Sequence, residues 1–453
     1  MKLSPTKEIF SLILFAACTA HAQGLSQPES DPPTDPQAQT TSTHERRPGP
    51  AATSAADADE DDYGLTGDWG GARNRIRDRG GLSLGGSYTA EWNSVLDGGV
   101  NQRGSFRNIL AIEAELDLSA YRWEGARVFF QYLSVNPEGG VRGGSNDVGD
   151  IQGISNIETR RHLDIISELW FEQALFDERL RFKFGKMDAN AEFAYVDAAT
   201  DFAHSSAGIS PTIFTIPTYP DPATGATIFA TVHRTDSTAL TLGYAIFDGA
   251  AAADGVETGR RGPSTFFNDR LSDDYFHIAQ AELAWEDLGS IFGDALRARW
   301  LGKGRLSAGF WHHTGTFDRF DGSRQTGVNG VYATIEQRVV DWQQGGMDAF
   351  AQFGWTEDDI SQVGTHWAIG FDAHGVFPHR PNDSLGLYAS LAVLSDKTGA
   401  GLGDDELAIE AYYRLDLVGS LFLQPSVQFI ANPGGNDALD DAWVLGLRAG
   451  LSF

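Results

Sequence analysis

Cysteine is almost absent. Cys18 is the single one in 453 residues, and it lies in the apolar start of the chain. Ile9 to Ala17 follows Lys2 and Lys7 and precedes Ala20-His21-Ala22, the pattern of a secretory signal peptide cleaved after Ala22. Its removal takes the cysteine with it, so the mature chain is expected to carry neither disulfides nor thiol chemistry. Basic charge is also scarce. Lys and Arg number 34 against 62 Asp and Glu, a formal charge of -28, and nucleic acid as a partner is therefore excluded. Past residue 22 no apolar run approaches the ~20 residues of a spanning helix. The chain also has no HExxH or CxxC, so no enzymatic reading, cofactor or metal is expected.

What the chain has instead is alternation. Trp443, Leu445, Leu447, Ala449, Leu451 and Phe453 occupy one face of a final strand, with Val444, Gly446, Arg448, Gly450 and Ser452 on the other. Segment 110–119 sets Ile112, Ala114, Leu116 and Leu118 against Glu113, Glu115, Asp117 and Ser119. A dry core could not hold those carboxylates, whereas a water-filled lumen can. Sixteen such segments are found: 82–93, 108–119, 127–135, 166–175, 179–187, 227–233, 237–247, 276–285, 305–314, 328–339, 347–356, 365–374, 384–394, 406–417, 421–430 and 441–453. Each is near the ~9–11 residues of a tilted membrane strand. The fold expected is all-β, a 16-stranded antiparallel outer-membrane barrel in which aromatics of the last strand sit at the interfaces.

The organisation follows from composition. Residues 1–22 are the signal peptide, and 23–62 form a Pro-, Ala- and Asp-rich leader too poor in apolar side chains to fold. Residues 63–453 make the barrel. Short gaps at 120–126, 176–178, 234–236, 340–346 and 418–420 alternate with long ones at 94–107, 136–165, 188–226, 248–275 and 315–327, as periplasmic turns and outer loops should. The gap 286–304 breaks that parity by its length. Asp68 to Gly80 reads as a short helix at the periplasmic mouth, with Asp68 as N-cap, Gly80 as stop and Arg73, Arg75, Arg77 and Arg79 between.

Six motifs occur in order. They are Leu65-Thr-Gly-Asp-Trp-Gly-Gly71, Val148-Gly-Asp-Ile-Gln-Gly-Ile-Ser-Asn156, Glu168-Leu-Trp-Phe-Glu-Gln173, Leu180-Arg-Phe-Lys-Phe-Gly-Lys186, Phe247-Asp-Gly249 and Asn432-Pro-Gly-Gly435. Together they closely resemble the OprB-type carbohydrate-selective porins, over residues 63 to 453. The resemblance implies a sixteen-stranded barrel that passes sugars, glucose among them, through a channel narrowed by charged residues. The acidic leader lies outside that pattern.

Sugars are neutral, rich in hydroxyls and apolar on one face, so a selective channel needs carboxylates, Arg and amides, plus an aromatic. By alternation the lumen candidates are Glu91, Asn93, Glu113, Glu115, Asp117, Arg127, Gln131, Glu168, Trp170, Glu172, Arg181 and Lys183. Glu113, Arg127, Glu168 and Arg181, taken as near mid-strand, are the chosen contacts, with loop 136–165 folding inward to narrow the channel beside them. The alternative is a general, cation-leaning diffusion pore without sugar preference, which the acidic charge favours. The partners expected are small carbohydrates within and outer-membrane lipid and lipopolysaccharide around the barrel; a homo-oligomer is left open. His312 and His313 are adjacent on a strand, face opposite ways and cannot chelate one metal together.

Overall fold

A computed structural model describes residues 66–137, 144–267, 274–287, 302–418 and 420–453. The expected signal peptide with Cys18 and the expected leader lie outside the described residues, as do 63–65, 138–143 and most of the gap 286–304. The wall begins with β1 (Leu82–Asp97), β2 (Gly104–Asp117), β3 (Ala126–Pro137), β4 (Leu163–Leu175), β5 (Leu180–Met187) and β6 (Ala223–Arg234). It continues with β7 (Thr238–Asp248), β8 (Tyr275–Trp285), β9 (Gly304–Asp318), β10 (Arg324–Trp342) and β11 (Gly345–Thr356). β12 (Val363–His374), β13 (Ser384–Leu394), β14 (Asp405–Val418), β15 (Leu421–Ala431) and β16 (Ala442–Ser452) complete it. Each strand pairs antiparallel with its sequence neighbours, and β16 returns to β1, closing the barrel. All sixteen expected segments are strands, and closure leaves no unpaired edge for lipid to meet.

Alternation sorts the two faces. Leu445 and Leu447 point outward, 39% and 41% exposed, while Val444 and Arg448 on either side of them are buried within. Outward aromatics pair across strands, Phe353 with Trp367 at 4.5 Å and Phe429 with Trp443 at 4.8 Å between ring centroids. The seam is closed by the last residue. Phe453 N–H donates to Gly86 O at 3.0 Å, and Gly86 N–H donates to Phe453 O at 2.9 Å. Gly86 is glycine for space: a Cβ there would lie 2.8 Å from the Phe453 ring and 2.5 Å from Ala111 O.

Three local expectations need correction. The helix α1 spans Ala72–Gly80, so Asp68 is not its N-cap and Gly81, at φ 66°, is the left-handed stop. Asp68 still accepts the Asn74 N–H at 2.8 Å. The arginines divide: Arg73 is buried, donating to Thr66 Oγ1 at 3.1 Å and to Leu84 O on β1, while Arg75 and Arg79 are exposed. α1 is thereby tied to the base of β1. The gap expected at 315–327 is mostly strand, because β9 and β10 run on to a turn at 319–323. Asp117 stands at the strand end, where it accepts the Ser119 N–H at 2.8 Å and caps a one-turn helix rather than lining the lumen.

The barrel is not an open tube. The described part of loop 138–162, including the short helix α2 (Ser145–Val148), folds against the inner wall of β13–β16. The loop 188–222 does the same along β8–β15, and it was expected only as a long outer loop. Phe193 and Phe202 on this second loop are fully buried against the wall aromatics Phe229, Phe350, Tyr388 and Tyr412.

Candidate functional site

Strand register explains why the early-strand candidates converge. Glu113, Gln131 and Glu168 are register partners across β2, β3 and β4. The next inward row holds Glu115, Phe129 and Trp170, and the row below it Arg127, Glu172 and Lys183. Nine of the eleven principal candidates thus occupy one patch of inner wall, Arg181 included; Glu91 and Asn93 lie on β1, away from it. A bulge keeps this patch aligned. Pairing shifts between Gln131 and Tyr132, so that Ser167 and Glu168 both serve the inner face and Ile166 turns outward.

Glu172 is the hub of the patch. It accepts from Arg127 Nε at 2.8 Å and from Arg181 Nη1 at 2.6 Å, and Lys183 Nζ lies 3.6 Å away. Arg181 also donates to Glu192 at 2.7 Å, and Lys183 is paired with the same carboxylate. Glu192 belongs to the loop 188–222, so this ion network joins loop to wall. Trp170 donates from Nε1 to Glu168 at 2.9 Å, stacks on Phe129 at 5.0 Å and carries Lys183 Nζ 3.8 Å from its ring centroid. Being buried under both, Trp170 braces the patch rather than offering a stacking platform. Arg127 keeps contact with water, its side chain 44% exposed.

Two further networks were not among the candidates in full. Glu91 accepts from Arg107 at 2.6 Å and from Arg448 Nε at 2.9 Å, and Arg107 also donates to Asn93 at 2.5 Å. Arg448 reaches Asn156 on the first inward loop at 2.8 Å. On the facing wall, Arg305 pairs with Glu336, lies 3.3 Å from Asp197 and sits 3.9 Å from the Tyr195 ring centroid. Arg305, Glu336 and Arg448 stand on the polar side of expected strands, so alternation held the signal. Arg107 falls one residue before the expected start of its strand. Glu192 had no local signal; only its loop's length was visible.

The chosen four are therefore partly united. Arg127 and Arg181 share Glu172, and Glu113 and Glu168 flank Gln131, which donates to Glu113 at 2.8 Å. Two expectations fail. Arg127 and Arg181 are second residues of their strands, near the periplasmic end and not mid-strand. The loop that meets them is 188–222, while the described part of loop 136–165 meets the Glu91–Arg448 network. The histidines are taken up locally. His313 is buried, with Nε2 2.9 Å from Gly249 O, and His312 faces outward beside Asn329 at 2.9 Å.

The arrangement is a charge-lined interior, narrowed by two inward loops, in a barrel that closes on itself. Residues 107–453 match the model of the OprB family, described as a carbohydrate-selective porin. The chain belongs to the OprB family of carbohydrate-selective porins. As a porin it is an outer-membrane protein. Porin B of Pseudomonas aeruginosa is 22% identical, over 89% of this chain and 94% of its own. QuiX of Acinetobacter baylyi, whose assigned name proposes it as a porin, is 23% identical over 87% of this chain and 94% of its own. Among solved structures, OprB of Pseudomonas putida at high pH superposes with a TM-score of 0.71 at 20% identity, covering 87% of this chain and 99% of that one. That likeness carries the sixteen-stranded porin fold.

Proposed function

We propose that this porin admits small, glucose-like sugars into the periplasm by passive, carbohydrate-preferring diffusion. The observation that carries the reading is the patch on β2–β5. There carboxylates occupy three successive inward rows, joined in the last by the Arg127 guanidinium and the Lys183 ammonium, with Arg127 open to water. Side-by-side acceptors and donors suit vicinal hydroxyls, which present both in a fixed spacing. Most of these charges are already paired with one another, so a sugar meets a wall that offers hydrogen bonds without closing on it, and weak contact permits exit. An aromatic with solvent access stands nearer the outer mouth: Phe214, 40% exposed, rests edge-on against Trp311 and Phe317. It supports the reading as a surface for a sugar's apolar face.

Single-channel current across planar bilayers, with and without a panel of neutral sugars, tests this. Concentration-dependent block by hexoses, and weaker block by size-matched polyols without the ring, is expected. Unaltered current with every sugar, together with a strong cation preference in reversal potential, would instead establish the general diffusion pore that the formal charge of -28 favours.

A further inference from the structure

The two inward loops are fastened to the wall in a recurring way. Glu336 on β10 accepts the consecutive backbone N–H groups of Asp197 and Ala198, each at 3.1 Å. Glu410 on β14 accepts those of Ala203 and His204 at 2.9 and 2.8 Å. Glu406 on β14 accepts those of Ile151 and Gln152 at 2.9 and 3.1 Å, and Gly434 N–H at 2.7 Å. Amide side chains add to the pattern: Gln352 donates to Ala207 O at 2.6 Å, Gln424 to Asp201 O at 2.7 Å and Gln428 to Ile154 O at 2.9 Å.

We infer that Glu336, Glu406 and Glu410 are positioning residues that set the bore of the channel, each holding a loop to the wall through paired backbone N–H donors. Loops inside a barrel carry backbone groups that must find partners, and an ionised carboxylate is the acceptor that two parallel N–H groups fit best. All three side chains are buried and their oxygens are occupied by these amides and, at Glu336, by Arg305 as well, so solute does not reach them. Their effect on passage is exerted through where the loops lie. Glu336 and Glu410 hold the two ends of the stretch 197–204, which also carries Asp201 toward Arg414 at 3.2 Å. Glu406 holds the first loop next to α2.

The inference requires only an open channel, not sugar preference, and its test needs no sugar. Purified protein is inserted into planar bilayers, and the largest neutral polyethylene glycol that still enters the pore is found, with open-channel current noise recorded alongside. Glu→Gln keeps one acceptor oxygen and Glu→Ala keeps none. At positions 336 and 410 both cut-off and noise should therefore rise in the order wild type, Gln, Ala. Asp348→Asn removes a wall carboxylate that pairs with Arg338 at 2.9 Å, and it should keep the wild-type cut-off. A loop-side variant guards against wall damage. Ala198→Pro deletes one donor to Glu336 and leaves every strand intact, and it should reproduce part of the Glu336→Ala shift without adding to it in the double variant. Heat-modifiable migration reports assembly in each case. Equal cut-offs in wild type, Gln and Ala, with only ion preference altered, would overturn the inference, as would full additivity of Ala198→Pro and Glu336→Ala.

Discussion

Replacing Arg127 with alanine should weaken sugar block of ion current about tenfold while leaving open-channel conductance near wild type. Arg127 gives Glu172 its Nε at 2.8 Å and Nη2 at 2.6 Å, yet Glu172 retains Arg181 at 2.6 Å and Lys183 at 3.6 Å when Arg127 is removed. No buried carboxylate is orphaned, so the wall and the loop 188–222 keep their places. What is lost is a charged donor with open water beside it. A hydrogen bond to a charged group contributes about 1.5–3 kcal/mol. Exposure of 44% and screening by salt bring the figure to the low end, ~1.4 kcal/mol, a factor of about ten in affinity. The assay is the half-blocking concentration of glucose in single-channel records, compared with Leu116→Ala on the outward face, which should match wild type. Arg181→Ala differs instructively. It removes the donor that Glu192 takes at 2.7 Å, so block should weaken and conductance should rise together. If Arg127, Arg181, Glu113 and Glu168 each tolerate alanine with wild-type block, the sugar contacts lie elsewhere and the patch is only bracing.

Phe453→Ser should lower the yield of heat-modifiable barrel in outer membranes, with unchanged conductance in the fraction that inserts; normal yield would contradict the seam described above. Gly86→Val should do the same more severely, since a Cβ there meets the Phe453 ring at 2.8 Å and backbone at 2.5 Å, and a loss of folded protein on semi-native gels is the readout. Phe214→Ala should weaken sugar block and leave ion conductance alone, because the ring rests on Trp311 and Phe317 without holding a loop by hydrogen bonds. Arg305→Ala leaves Glu336 and Glu282 without their shared cation on the inner wall, a change that costs about 3–5 kcal/mol for a buried pair, so a lower midpoint in urea unfolding is expected.

The wall was legible because two solvents write it. Lipid outside and water inside enforce a period of two in every strand, and that period survives even where local propensity is weak, as at β6 and β8. Its boundaries were less legible. β9 and β10 extend into what reads as loop, because their last outward pairs, Thr316 with Thr326 and Asp318 with Arg324, are polar. The bulge at Ser167 leaves no mark of its own, since small polar residues are ordinary in a lumen. Helix α1 starts late because Gly70 and Gly71 take positive φ, so the chain turns before it coils.

The bore was far less legible, for a reason that the carboxylates make plain. Glu113, Glu172, Glu336 and Glu410 carry the same residue type at the same parity of their strands. In sequence they are one class. The structure divides them by partner: Glu172 binds guanidinium groups, Glu410 binds backbone N–H groups of a loop, Glu336 binds loop N–H groups as well as the Arg305 guanidinium, and Glu113 binds an amide. Backbone donors have no letter in the sequence, so a clamp is indistinguishable from a solvated lumen residue until the loop is placed. Loop 188–222 supplies no charge pattern that announces an inward fold; its buried anchors, Phe193 and Phe202, are ordinary apolar residues. It follows that residues chosen by alternation alone will include groups that touch solute and groups that only hold the loops. Substitutions graded from Glu to Gln to Ala separate the two, because losing charge and losing acceptors then occur at different steps.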